Sequence, residues 1–277
     1  AQCYCCPGLT AALVWPVRVL QALQAWLHGL LVGADAFLEE AFAPRIILAR
    51  NDPAVRGLEG LPREVRRLSG ERLERLRVDE EGLAFTVEPF LGQKTGLYLD
   101  QRPARLAVRG LARGRRVLDL FCYQGGFALN ALAGGAAAVR AVDASGRALQ
   151  ILREDAAEAR LPAPDTVEGN VFDLAPGLVR SGERFDLIVL DPPAFARSRE
   201  EAAGAERGYR ELNRRAVQLL APGGALLTCS CSYNMPAERF LDTLRRAAAD
   251  AGRPDLELRR LAPGEDHPLL LGLPESD

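Results

Sequence analysis

Lysine is almost missing from these 277 residues: Lys94 stands alone against 34 arginines in a total of 35 basic side chains. That imbalance reads as compositional bias, so most arginines carry no message, and Lys94 draws attention for having escaped it. Histidine and tryptophan are scarce at two each, and Met235 is the single methionine. Acidic and basic side chains nearly cancel, leaving a net charge of −2 and a pI of about 5.9. A global basic field is thereby excluded, and any contact with a polyanion must use local patches. Six cysteines stand at 3, 5, 6, 122, 229 and 231, with no even framework, and Cys229-Ser230-Cys231 is too tight for an ordinary disulfide. A reducing, cytoplasmic compartment is the expectation. Cys3-x-Cys5-Cys6 finds no partner pair at finger spacing, so no metal site is expected.

Uninterrupted apolar runs of membrane length are also lacking. Val14 to Val32 is broken by Pro16, Arg18, Gln21, Gln24 and His28, short of the ~20 apolar residues a span needs. It has no basic n-region or clean cleavage site either. The expectation there is a buried or interface helix from about 17 to 31, within a helical leader over 1–43, and no membrane partner. Residues 44–95 read as a small α+β lobe: a short strand over 45–50, scattered charge over 54–77, and a strand at 83–88 after a turn at Glu81-Gly82. The arginines of 54–77 read as a solvated face rather than an RNA-contacting patch.

From 96 onward the pattern changes to regular alternation. Strands are expected at 117–121, 138–142, 165–169, 186–190, 224–230 and 255–261. Helices are expected at 101–112, 126–134, 145–159, 205–220 and 236–251. Strands alternating with helices mean an α/β domain, here 96–277, built on a mostly parallel sheet covered on both faces. Its opening unit is Val117-Leu118-Asp119-Leu120-Phe121-Cys122-Tyr123-Gln124-Gly125-Gly126-Phe127: a strand, a glycine turn and a helix start. The turn is not G-x-G-x-x-G and no Walker lysine follows, which disfavours dinucleotides and triphosphates. A strand-end acid followed by glycines suits a ligand with one positive group and a close backbone approach. S-adenosylmethionine, with its amino-acid tail, is such a ligand. Asp143, about 20 residues beyond the turn, stands where a ribose is held through its hydroxyls. Asn170 follows the third strand, where a polar group can stand beside adenine.

The fourth strand ends in Asp191-Pro192-Pro193-Ala194-Phe195. Two prolines give an extended, amide-poor backbone whose carboxylate and carbonyls face the cleft of methyl transfer. Asp-Pro-Pro followed at once by an aromatic marks methylation of exocyclic amines on bases. Here the aromatic arrives one place late, which argues against that chemistry. The fifth strand runs into Cys229-Ser230-Cys231-Ser232. Carbon-5 of a pyrimidine base is a poor nucleophile, and a thiolate added at carbon-6 activates it. Either Cys229 or Cys231 could serve, and spacing alone does not choose between them.

Together these motifs resemble the bacterial large-subunit (23S) ribosomal RNA cytosine-C5 methyltransferases, class I S-adenosylmethionine-dependent enzymes that usually carry an N-terminal PUA domain. The resemblance runs from about Pro44 to Glu275 and rests on 92–102 (GQKTGLYLDQR), 117–127, the Asp143 strand end, 191–195, 229–232 and Asp266-His267-Pro268. It implies a Rossmann-like fold of the seven-stranded type, with the last strand missing here and no PUA module ahead of residue 44. It implies Cys231 as nucleophile with Asp191 beside it, and Asp119, Phe121, Tyr123, Gly125, Gly126, Asp143, Asn170 and Asp191 around the cofactor. Lys94, Arg102, Pro192 and Phe195 fall on the substrate side. RNA, specifically 23S rRNA, is the implied partner, and the oligomeric state is open, a homodimer included. Two other readings remain: a guanine-N rRNA methyltransferase without a catalytic thiol, and a cofactor-binding fragment that docks on RNA without turnover.

Overall fold

The computed structural model describes residues 9–14, 17–22, 37–92, 97–195, 202–232 and 235–261. The chain divides into two compact units, Ala1–Ala104 with Leu261–Asp277, and Arg105–Arg260.

In the first unit, strands β1 (Leu9–Val14), β2 (Val17–Ala22), β3 (Ile46–Asn51) and β4 (Glu64–Gly70) form a sheet in that order. β2 lies parallel to β3, and both outer pairs are antiparallel. Residues 17–22 are therefore strand, not the start of the expected helix. The reason is burial on both faces. Val17 and Val19 pack with Ile46, Leu48 and Leu76, while Leu20 and Ala22 pack with Ile47 and Ala49 on the other side. A strand covered on both faces loses its polar alternation and looks like a helix segment in sequence. The remainder of that expected helix lies outside the described residues. Residues 37–42 are helical.

A hairpin of β5 (Leu76–Glu80) and β6 (Leu83–Val87) completes this unit. Its two turn residues, Glu81 and Gly82, both have positive φ (55° and 77°), as a tight hairpin turn requires. The charged stretch 54–77 holds β4 and the start of β5, which charge scatter alone concealed. Arg77 crosses the hairpin to the Thr86 hydroxyl and the Ala84 carbonyl.

The second unit holds a five-stranded, wholly parallel sheet. Its strands are β7 (Arg116–Leu120), β8 (Ala138–Asp143), β9 (Asp165–Glu168), β10 (Phe185–Leu190) and β11 (Leu220–Thr228), in the order β11-β10-β7-β8-β9. Helices α1 (Arg102–Leu111, of this unit from Arg105 onward), α2 (Gly126–Ala133), α3 (Gly146–Glu158), α4 (Val171–Arg180), α5 (Ala202–Leu219) and α6 (Ala237–Asp250) alternate with them. This is the α/β, Rossmann-like arrangement expected from the alternation. β7 pairs with β8 on one side and β10 on the other, so the strand order reverses beside β7. Ligands of such sheets collect in the crevice at that reversal, beyond the strand carboxyl ends. One face of the sheet packs Leu118, Leu120, Ile188 and Leu190 against Leu212, Ala216 and Leu219 of α5.

Three local differences from expectation bear on the site. β11 ends at Thr228, so Cys229 and Cys231 lie beyond the regular strand rather than on one of its faces. Helix α4 forms although Pro176 stands inside it. Asn170 caps it, its side chain accepting from the Phe172 amide at 3.0 Å, and Val171 and Ala175 are buried. Residues 255–261 form no strand, and Leu258 and Leu261 remain exposed. Among the described residues no helix is long and apolar enough to cross a membrane.

Candidate active site

The site grows out of the β7–α2 turn. Phe121 (φ 61°), Tyr123 (φ 49°) and Gly125 (φ 77°) all occupy the left-handed region, and two of them are bulky residues that rarely do. Such strain persists where the surroundings over-determine the backbone. Here the Cys122 amide donates to the Val142 carbonyl at 3.0 Å, the Gly125 amide to the Cys122 carbonyl at 2.8 Å, and the Tyr123 amide to Asp143 Oδ2 at 2.8 Å. A Cβ at Gly125 would stand 2.3 Å from the Leu152 side chain, so glycine is required twice over, by φ and by space.

Asp119 is fully buried on β7, and neither carboxylate oxygen has a hydrogen-bond partner. Burial raises its pKa to about 8, and the neighbouring Asp191 carboxylate pushes the same way. The Ala128 amide, outside hydrogen-bond geometry, pulls the other way, and Asp143 adds a smaller upward push. Three carboxylates thus converge at the ends of β7, β8 and β10 with one of them orphaned. Such a cluster calls for a cation. Asp143 is committed on both oxygens, Oδ2 to Tyr123 and Oδ1 to the Ser145 amide at 2.8 Å, and each oxygen keeps a second lone pair. The acid at the end of β8 therefore ties the glycine turn to the start of α3 and still presents acceptors.

Beyond β10 the chain turns through Asp191, Pro192, Pro193 and Phe195. The Asp191 amide donates to the Leu120 carbonyl at 3.3 Å, drawing this segment onto the end of β7. The Cys229 amide donates to the Leu190 carbonyl at 3.0 Å, carrying β11 one step further along β10. Two residues on, the exposed Cys231 places its Sγ 3.7 Å from the Pro192 carbonyl oxygen. This contact sets the Cys231 thiol against the Asp-Pro-Pro segment. Cys229 is half-buried. Cys122 is buried, and desolvation, then the Asp119 and Asp143 charges, push its thiol well above the ordinary 9.0, so it stays protonated.

The structure therefore gathers Asp119, Phe121, Tyr123, Gly125, Gly126, Asp143, Asp191, Pro192, Phe195 and Cys231 at the carboxyl ends of adjacent strands. Asn170 stands at the end of β9 with its side-chain oxygen engaged in capping α4. Arg102 belongs to the first unit, and Lys94 and His267 lie outside the described residues. Among the described residues no cluster of His, Cys, Asp or Glu could hold a metal ion.

Sequence reasoning missed a buried polar group behind the thiol. Tyr209 of α5 is wholly buried, with its hydroxyl 2.9 Å from Ser232 Oγ, which also accepts from the Phe195 amide at 3.2 Å. Its ring extends a chain of edge and tilted contacts, Phe121–Phe172–Phe195–Tyr209–Phe240, with centroids 4.8 to 6.2 Å apart. A usable signal existed: Tyr209, Leu212, Asn213 and Ala216 share a helix face, which places two polar residues on a buried stripe.

An orphaned buried carboxylate, a glycine that permits close approach and an acid at the next strand end fit S-adenosylmethionine, which carries an ammonium group and a ribose. Residues 62–259 match the model of the S-adenosylmethionine-dependent methyltransferase family. The chain is 39% identical over 272 residues to ribosomal RNA large subunit methyltransferase I of Serratia proteamaculans and equally to that of Yersinia pseudotuberculosis, covering 97% of this chain and 69% of each relative. Among solved structures, SMU.776 in complex with SAH superposes with a TM-score of 0.75 at 23% identity, over 87% of this chain and 62% of that one. The SAM-dependent methyltransferase from Agrobacterium tumefaciens gives 0.64 at 18%, over 87% and 75%. At these identities the structures speak for the fold, whereas the family model and the curated relatives speak for descent: the chain belongs to the S-adenosylmethionine-dependent methyltransferase family.

Proposed function

We propose that this protein methylates carbon-5 of a cytosine in large-subunit (23S) ribosomal RNA, with Cys231 as the nucleophile. The observation that carries this reading is the exposed Cys231 thiol held 3.7 Å from the Pro192 carbonyl, next to Asp191. The names of the curated relatives support ribosomal RNA as the substrate class.

On this reading the target base leaves any stack and enters beside the Asp191–Phe195 segment. The Cys231 thiolate forms a bond to carbon-6, and the carbon-5–carbon-6 π electrons become available at carbon-5. Bound S-adenosylmethionine would supply an electrophilic methyl group and be left as the neutral thioether, its S–CH3 bond electrons staying on sulfur, while carbon-5 takes the methyl. Loss of the carbon-5 proton to water or base then re-forms the double bond and expels the Cys231 thiolate. Asp119 neutralises the cofactor's cationic end, Asp143 holds its ribose and Asn170 lies on the adenine side. Asp191 orients the base, and Pro192 and Phe195 line its approach, with Lys94 and Arg102 contacting the RNA. The reaction is expected in the cytoplasm, where rRNA is made.

The test is nucleoside mass spectrometry of unmodified large-subunit rRNA incubated with the protein and S-adenosylmethionine. The expected product is 5-methylcytidine. A methylated guanosine would overturn the cytosine reading. Cofactor binding without any methylated nucleoside would point to a docking fragment.

A further inference from the structure

The candidate nucleophile is flanked by two serines, and both turn toward one buried phenol. Tyr209 Oη lies 2.9 Å from Ser232 Oγ. Burial pushes the phenol above its ordinary pKa, and hydrogen bonds from Ser230 and Ser232 partly offset that rise. Ser232 Oγ also receives the Phe195 amide at 3.2 Å, so one hydroxyl joins the segment after β11 to the segment after β10. Ser232 is buried, and Tyr209 is packed against Phe195 and Phe240 with centroids at 4.8 and 5.5 Å. Asn213, one turn along α5, donates to the Tyr209 carbonyl at 2.8 Å and fixes this part of the helix. Cys231 itself lies beyond the last ladder residue of β11, so regular strand pairing does not set its position. Something else must.

We propose that Tyr209 is a positioning residue for the Cys231 thiol, acting through Ser232 and Ser230 to hold the segment after β11 against the Asp191–Phe195 segment. A loop outside a ladder has many backbone states, and each must be excluded to keep a reacting atom within a few tenths of an ångström of its working place. The buried Tyr209 ring and the buried Ser232 hydroxyl, with the half-buried Ser230 beside them, do this from behind the loop. The inference deepens the cytosine-C5 reading where its kinetics are concerned, and its structural half stands without RNA.

Tyr209→Phe removes one oxygen and keeps the ring packing; Ser232→Ala removes the other partner. The first readout uses the full chain alone: iodoacetamide labelling followed by peptide mass spectrometry. Release of the clamp frees the thiol from its contact with the Pro192 carbonyl. Labelling of Cys231 is expected to accelerate at least fivefold in either variant, with Cys229 unchanged as internal reference and thermal unfolding still cooperative. The double variant should add little, because both changes cut one network. The second readout is methyl transfer: kcat is expected to fall at least tenfold, with KM for RNA and the Kd of S-adenosylmethionine within twofold of wild type. Equal acceleration at Cys229 and Cys231 in Ser232→Ala and in Tyr209→Phe would mean general loosening and overturn the positioning role. Unchanged labelling of Cys231 in both folded variants would overturn it as well. If labelling responds as expected while Cys231→Ala still methylates RNA, the clamp stands and the cytosine-C5 reading falls.

Discussion

The two halves of the site are built from different materials. On the cofactor side, around β7, β8 and their turns, position is imposed by backbone: strained φ angles at Phe121 and Tyr123, a glycine with no room for a Cβ, and amides donated to Asp143. On the acceptor side, beyond β10 and β11, the chain has left the ladder, and position comes from the Ser232 hydroxyl, which takes the Phe195 amide and meets the Tyr209 hydroxyl of α5. The first half ends in a buried carboxyl whose oxygens lack a hydrogen-bond partner, the second in an exposed thiol. A binding half can be rigid because its ligand is always the same, whereas an acceptor half must admit and release a large substrate. The division predicts that binding and turnover can be broken separately.

The sharpest separation is Cys231→Ala. Methyl transfer should fall by at least about 10³-fold, as for loss of a nucleophile elsewhere, while S-adenosylmethionine binds within twofold of wild type by titration calorimetry. Asp119→Asn should do the reverse in kind, weakening cofactor binding by about 10–100-fold, the usual range for a lost charge-assisted contact. Its pH signature is more specific. The Asp119 carboxyl rises from 3.8 to about 8 on folding, so between those values the folded chain holds the extra proton. Its contribution to stability is full below 3.8, declines across that window and is gone above about 8. Asp119→Asn should therefore melt higher than wild type near pH 8 and alike near pH 4. Cofactor binding at pH 6.5 should release a proton, seen as buffer-dependent binding enthalpy, and the variant should show none. Gly125→Ala should cost about 1–3 kcal/mol for an alanine forced to positive φ against Leu152, read as a lower Tm together with weaker cofactor binding. Cys229→Ala, the smallest effect, should leave turnover within twofold.

The same division explains what could be read without coordinates. Asp119, Gly125 and Asp143 announce themselves because backbone-built sites depend on residue type at fixed spacing along one βα unit. Strands β7 and β10 at the centre of the sheet were legible for a similar reason, since parallel strands buried on both faces read as nearly continuous apolar runs. That rule misleads at Val17–Ala22, where burial on both faces erased the alternation and suggested a helix. Helix α4 was hidden by Pro176, although Asn170 and the buried Val171 and Ala175 outweigh the lost hydrogen bond. Spacing could not show that β11 stops at Thr228, nor that Cys231 Sγ meets the Pro192 carbonyl, 39 residues away in sequence. Tyr209 was invisible as a partner of Ser232 for the same reason, at a separation of 23 residues.

The most direct test of the central claim is to trap the thiol in the act. In RNA carrying 5-fluorocytidine the group to be lost from carbon-5 is fluorine, which cannot leave as a proton does, so the thiolate cannot be expelled after methyl transfer. After protease and nuclease digestion, mass spectrometry should find the methylated fluoronucleotide bonded to the peptide that carries Cys231, in wild type and in Cys229→Ala but not in Cys231→Ala. An adduct on Cys229, or methylation of unmodified RNA by Cys231→Ala at the wild-type rate, would contradict the account.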